Sequence, residues 1–156
     1  MKTKNPFLSR VGVLARRERE RFWDKEDFSI RLSKRRGKLE AGLWFRTSGC
    51  RFDQRGYCTI CDYSAGPPTS SKQMIDFVCR GLATIKEPCE QLLVSPSGSM
   101  LDDGEVPSIA REGIFTLLRN SPHKTFSFET RAETVTTITC EQCWHLLGER
   151  LTKVYI

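Results

Sequence analysis

Three times along this chain a short apolar run is followed by a stretch with helical spacing, and a fourth apolar run closes the series. The runs are residues 39–47, 91–95 and 125–131, with the last beginning at Lys153. The helical stretches are 71–85, 108–119 and 134–147, and Ser71 and Ser108 are residue types that open helices. Gly66-Pro67-Pro68 breaks the chain firmly before the first of them. Strand–helix alternation of this kind predicts an α/β fold whose parallel strands are joined by right-handed crossovers. In such sheets chemistry gathers beyond the carboxyl ends of the strands. Three segments fall there: the loop after the first strand, Ser97-Gly98-Ser99 after the second, and Glu129 with Arg131 at the end of the third.

The first of these loops carries Cys50, Cys58 and Cys61, with seven residues between the first two and two between the last pair. No histidine lies among them. Three thiolates on one loop supply three of the four ligands of a cubane iron–sulfur cluster and leave one iron open for chemistry. Structural zinc takes four protein ligands. A zinc site therefore needs Cys58 and Cys61 joined by Cys140 and Cys143, a separation much longer than in zinc ribbons.

At 156 residues the chain is one domain by length and long enough to bury a core. No run approaches the roughly 20 apolar residues of a membrane span, and residues 1–15 do not read as a secretory leader. A soluble, cytoplasmic protein with no membrane partner is expected. Seven cysteines cannot all pair within one chain, and clustered thiols in a reducing compartment read as metal ligands or reactive groups. Cys79 and Cys89 read as packing or surface positions, as do Cys140 and Cys143, and His123 reads as a solvated turn residue.

Charge is unevenly placed. Residues 1–38 hold thirteen Lys and Arg against five Asp and Glu, an excess of +8 that leaves −2 for the rest of a +6 chain. Residues 10–36 read as helical, with Lys34-Arg35-Arg36-Gly37 as helix end and turn. A basic extension, 1–38, thus precedes the domain at 39–156. It suits contact with nucleic-acid phosphate, or a solvated helix with internal salt pairs.

Thr47-Ser48-Gly49-Cys50-Arg51, Gly56-Tyr57-Cys58-Thr59-Ile60-Cys61-Asp62-Tyr63, the loop 97–107 and Phe128-Glu129-Thr130-Arg131-Ala132-Glu133 together resemble the radical S-adenosylmethionine (SAM) superfamily. The long first gap departs from the three-and-two spacing commonest there and is similar to the elongator-catalytic-subunit-like branch, in particular its archaeosine-synthesis subunits. The resemblance covers about residues 39–156. It implies the first three to four strand–helix units of a partial (β/α) barrel, the N-terminal half of a radical SAM core, with the chain ending inside the fourth strand. It implies a [4Fe-4S] cluster on Cys50, Cys58 and Cys61 with SAM on the fourth iron. It places Ile60 near the adenine, Tyr63 among the cofactor-binding residues, Ser97, Gly98 and Ser99 at the SAM amino group, and Glu129 and Arg131 at the ribose or methionine carboxylate. The implied activity is reductive cleavage of SAM to a 5′-deoxyadenosyl radical, with transfer RNA as substrate. An electron donor and a partner chain completing the barrel are the implied partners. Two other readings stay open: a non-catalytic zinc or iron–sulfur nucleic-acid-binding module, and an inactive truncated remnant.

Overall fold

A computed structural model describes Arg10, Val11, Leu14 and residues 26–55 and 66–156. Its five strands form one sheet in sequential order: β1 (Phe28–Arg35), β2 (Lys38–Phe45), β3 (Gln91–Pro96), β4 (Thr125–Glu129) and β5 (Leu151–Tyr155). Among the described residues after Arg10, Val11 and Leu14, the helices are α1 (Arg51–Gln54), α2 (Ser71–Thr84), α3 (Ser108–Asn120) and α4 (Thr137–Leu147), with 3₁₀ turns at Ala132–Thr134 and Gly148–Arg150.

From β2 onward the architecture is the one the alternation predicts, since β2–β3, β3–β4 and β4–β5 are all parallel. The sheet is nevertheless mixed, because β1 pairs antiparallel with β2. Here the helical reading of residues 10–36 is corrected. Arg10, Val11 and Leu14 are helical, but Phe28–Arg35 is a strand, with Phe28, Ile30 and Leu32 opposite Phe45, Leu43 and Ala41. Apolar residues at every second position carry a strand period, not a helical one. Arg36 and Gly37, at φ 51° and 76°, make the two-residue reversal. Both central residues of such a hairpin turn take positive φ, which glycine adopts without a Cβ penalty.

The strands bury one face. Along β3 Leu92, Val94 and Pro96 are buried while Gln91, Leu93 and Ser95 are half-exposed. Leu43, Phe45, Leu92, Val94, Phe126 and Phe128 meet Met74, Phe77 and Val78 of α2, Ile114, Phe115 and Leu118 of α3, and Cys143 and Leu147 of α4 in one core. Phe115 stacks on Phe128 with ring centroids 5.6 Å apart. Truncating a phenylalanine in this layer to alanine costs about 3–5 kcal/mol. Helix α2 begins at a capping box, in which Ser70 Oγ accepts the Gln73 N–H and Gln73 Oε1 accepts the Ser70 N–H. No helix among the described residues is long and apolar enough to cross a membrane.

His123 is not solvated, contrary to the turn it occupies. It is 2% exposed, and its Nδ1 accepts the backbone N–H of the buried Cys89 at 3.1 Å. Arg150, from the turn before β5, donates to the His123 and Ser121 carbonyls and lies over the Phe126 ring. Cys79 is exposed, as an ordinary surface position would be.

Candidate functional site

Because β2, β3 and β4 run parallel, the loops that follow them emerge on one rim of the sheet. Polar side chains then stitch those loops together. Ser97, just past β3, accepts the Thr47 N–H on its Oγ at 2.8 Å, and the Thr47 hydroxyl donates to the Ser97 carbonyl at 3.0 Å. The Thr47 hydroxyl also accepts the Gly49 N–H at 2.9 Å, fixing the approach to Cys50. Ser99 Oγ lies 2.7 Å from Thr130 Oγ1 and accepts the Arg131 N–H at 3.1 Å, joining the β3 loop to the β4 loop. Both serines are buried, and both hydroxyls are engaged within the rim.

At the centre sits a carboxylate to which the linear pattern assigns no role. Glu105 has no exposed surface. Its Oε1 accepts the Arg51 N–H at 2.6 Å and its Oε2 the Ser99 N–H at 2.7 Å. Arg131 completes a fork, with Nη1 3.0 Å from Oε2 and Nη2 2.8 Å from Oε1. Paired parallel bonds of this kind are the strongest arrangement a guanidinium offers a carboxylate. Gly98 makes room for it, because a Cβ there would stand 2.5 Å from Glu105 Oε2. One buried carboxylate therefore holds the loops after β2, β3 and β4 at once.

Around this core the charges continue. Arg131 also pairs with Asp102 and, through Nε, with Glu133 at 3.0 Å. Arg51 reaches Asp102 at 3.2 Å and Glu133 at 2.8 Å. Two guanidinium groups thus face three carboxylates. Burial works against the Arg131 charge, yet Glu105 and Glu133 hold its guanidinium above the ordinary arginine range. Its own backbone N–H, then Arg131 and Arg51, hold the Glu133 carboxyl below the usual range against the opposing effect of desolvation.

Cys50 stands at the edge of this cluster, half-exposed, at the position preceding α1. The Nη1 of Arg131 is 3.8 Å from its sulfur. That places a fixed positive group beside an atom that is anionic when it binds a metal. Glu129, at the end of β4, is exposed and takes the Ser95 hydroxyl across the sheet. The rim thus brings together Cys50, Ser97, Gly98, Ser99 and Arg131, and leaves Glu129 exposed beside Ser95. Cys58, Ile60, Cys61 and Tyr63 lie outside the described residues. Among the described residues no group of three or more His, Cys, Asp or Glu side chains is arranged to hold a metal. Cys140 is exposed and Cys143 buried on α4, as packing and edge positions would be.

No family model matches the chain, and no solved structure does. It is similar to the archaeosine synthase subunit beta of Methanosarcina acetivorans, with 32% identity over 111 residues. The matched region is 68% of this chain but 32% of that protein, so the chain spans about a third of its relative's length.

Proposed function

We propose that this chain carries the cluster-binding part of a radical SAM enzyme acting on transfer RNA. One observation carries the reading: Cys50 is held on the carboxyl rim of a parallel sheet, beside Arg131, in a chain with two more thiols at 58 and 61. The similarity to an archaeosine synthase subunit supports an enzyme-related role in transfer RNA modification.

The donor chemistry fits a [4Fe-4S] cluster. Cys50 is reachable from solvent and has a cation on one side, while the neighbouring carboxylates are taken up by Arg51 and Arg131. Cys50, Cys58 and Cys61 would hold the group, which supplies the electron that cleaves bound SAM. The remaining work belongs to the chain. Glu105 and Thr47 fix the backbone on either side of Cys50. Arg131 holds positive charge at the thiol. Gly98 makes room for the Glu105 carboxylate that fixes the β3 loop, and the exposed carboxylate of Glu129, which takes the Ser95 hydroxyl, would receive hydroxyl groups of a ribose. An electron donor and a chain segment or partner completing the barrel belong to the same proposal.

Anaerobic reconstitution with iron and sulfide, reduction with dithionite, and assay of 5′-deoxyadenosine from SAM test it. The expected result is a brown protein whose colour is lost in Cys50→Ala, Cys58→Ala and Cys61→Ala. Brown protein without 5′-deoxyadenosine would place SAM cleavage beyond this chain alone. A colourless protein holding one zinc would overturn the reading in favour of a binding module.

A further inference from the structure

Away from the rim, α4 carries two thiols three residues apart. Cys140 is exposed, and Cys143, one turn further, is 4% exposed. Both line one cavity of about 190 Å³, walled by Leu101, Phe128, Val135, Trp144, Leu151 and Val154. Burial pushes the Cys143 thiol up to about 11, with the nearby Arg111 opposing and Cys140 adding to the rise. Three residues apart on one helix, the two side chains are neighbours on its surface.

We propose that Cys140 and Cys143 form a redox-active dithiol that exchanges with small-molecule disulfides. The division of labour follows from exposure. The Cys140 thiolate attacks one sulfur of the incoming disulfide, releasing one thiol and leaving a mixed disulfide on Cys140. Cys143 then loses its proton and displaces the second thiol, closing Cys140–Cys143. Two thiols of the protein become one disulfide, and one small disulfide becomes two thiols, so electrons and protons balance. Residues three apart on a helix stand with Cβ atoms about 5–6 Å apart, whereas an unstrained disulfide needs about 3.5–4.5 Å. The closed bond is therefore strained and easily reduced, which is the property of a reversible site. Both cysteines line the same cavity, which leaves unfilled space beside that turn of α4.

The sequence provides a clean assay. Cleavage after Arg131 and Arg150 yields one tryptic peptide, 132–150, that contains Cys140 and Cys143 and no other cysteine. The full chain is equilibrated in glutathione buffers of increasing oxidised fraction, quenched by alkylation, and this peptide is weighed. The expected product is the peptide lacking two hydrogens, fully regenerated by excess reduced glutathione. In Cys143→Ser a glutathione adduct should accumulate on Cys140, and in Cys140→Ser the peptide should stay unmodified. The adjacent Trp144 reports closure independently, as a reversible fall in its fluorescence that neither variant gives. Wild-type peptide that keeps both thiols, or that stops at the Cys140 adduct, would overturn the proposal. So would modification of Cys143 in Cys140→Ser.

Discussion

A carboxylate with no exposed surface keeps its charge only if donors replace its lost water, and Glu105 receives four of them. Glu105→Gln keeps the shape but turns an amide N–H toward a backbone N–H and leaves Arg131 without its fork. The expected loss is about 3 kcal/mol, the lower part of the range for breaking a buried pair, because Arg131 retains Asp102 and Glu133. Gly98→Ala attacks the same contact from the other side, since its Cβ would displace Glu105 Oε2. The two losses should therefore not add. In urea unfolding the double variant should fall clearly short of the sum of the singles. Full additivity would mean that Gly98 and Glu105 act separately. This residue was out of reach of the sequence. Arg51 and Glu105 lie 54 positions apart and Arg131 another 26 beyond, and nothing in a linear pattern pairs them. The loop 97–107 was legible as a site; which of its acids organised it was not.

Elements were read best where burial enforces a period. Strands β2 to β4 and helices α2 and α3 appear within a few residues of their expected bounds, because each has a core face to fill. The hairpin strand β1 was lost in a basic stretch. Arg31, Lys34 and Arg35 interrupt its apolar residues, and as an edge strand it has less to bury, so the charge pattern outweighed the period of two. His123 failed for a different reason. Ser-Pro-His-Lys reads as a solvated turn, and the Arg150 that binds its carbonyls comes from 27 residues away. Its burial has a measurable consequence. Desolvation, then the charge of Arg150, lowers the His123 pKa from 6.5. The unfolded chain then binds a proton more readily than the folded one, so stability is present above about pH 6.5 and drains as pH falls below it. The proton would also displace the Cys89 N–H from Nδ1. Unfolding midpoints taken from pH 8 to pH 5 should decline more steeply in the wild type than in His123→Asn, whose side-chain oxygen can accept the same N–H. Equal slopes would remove His123 from the account.

At the scale of the molecule, the rim site and an exposed cluster of positive charge lie at opposite poles of β2. Lys34, Arg35 and Arg36 stand exposed at the hairpin tip, where β2 begins, while Cys50 follows its other end. Eight residues of strand separate the poles by about 25 Å. A polyanion that presents a residue to the rim and gains affinity from the tip must be longer than that, which a folded RNA satisfies and a free nucleoside does not. If transfer RNA binds in this way, its affinity should fall linearly with the logarithm of salt concentration, with a slope that counts the phosphates contacted. Lys34→Gln, Arg35→Gln and Arg36→Asn together should flatten that slope by about one unit for each side chain in contact. Asparagine at 36 keeps a residue tolerant of the positive φ in the turn. Because the tip is remote from Cys50, iron loading should be unchanged in the same variant. A slope equal to the wild type's would show that the tip meets no phosphate, and the RNA path would then have to run over the rim alone.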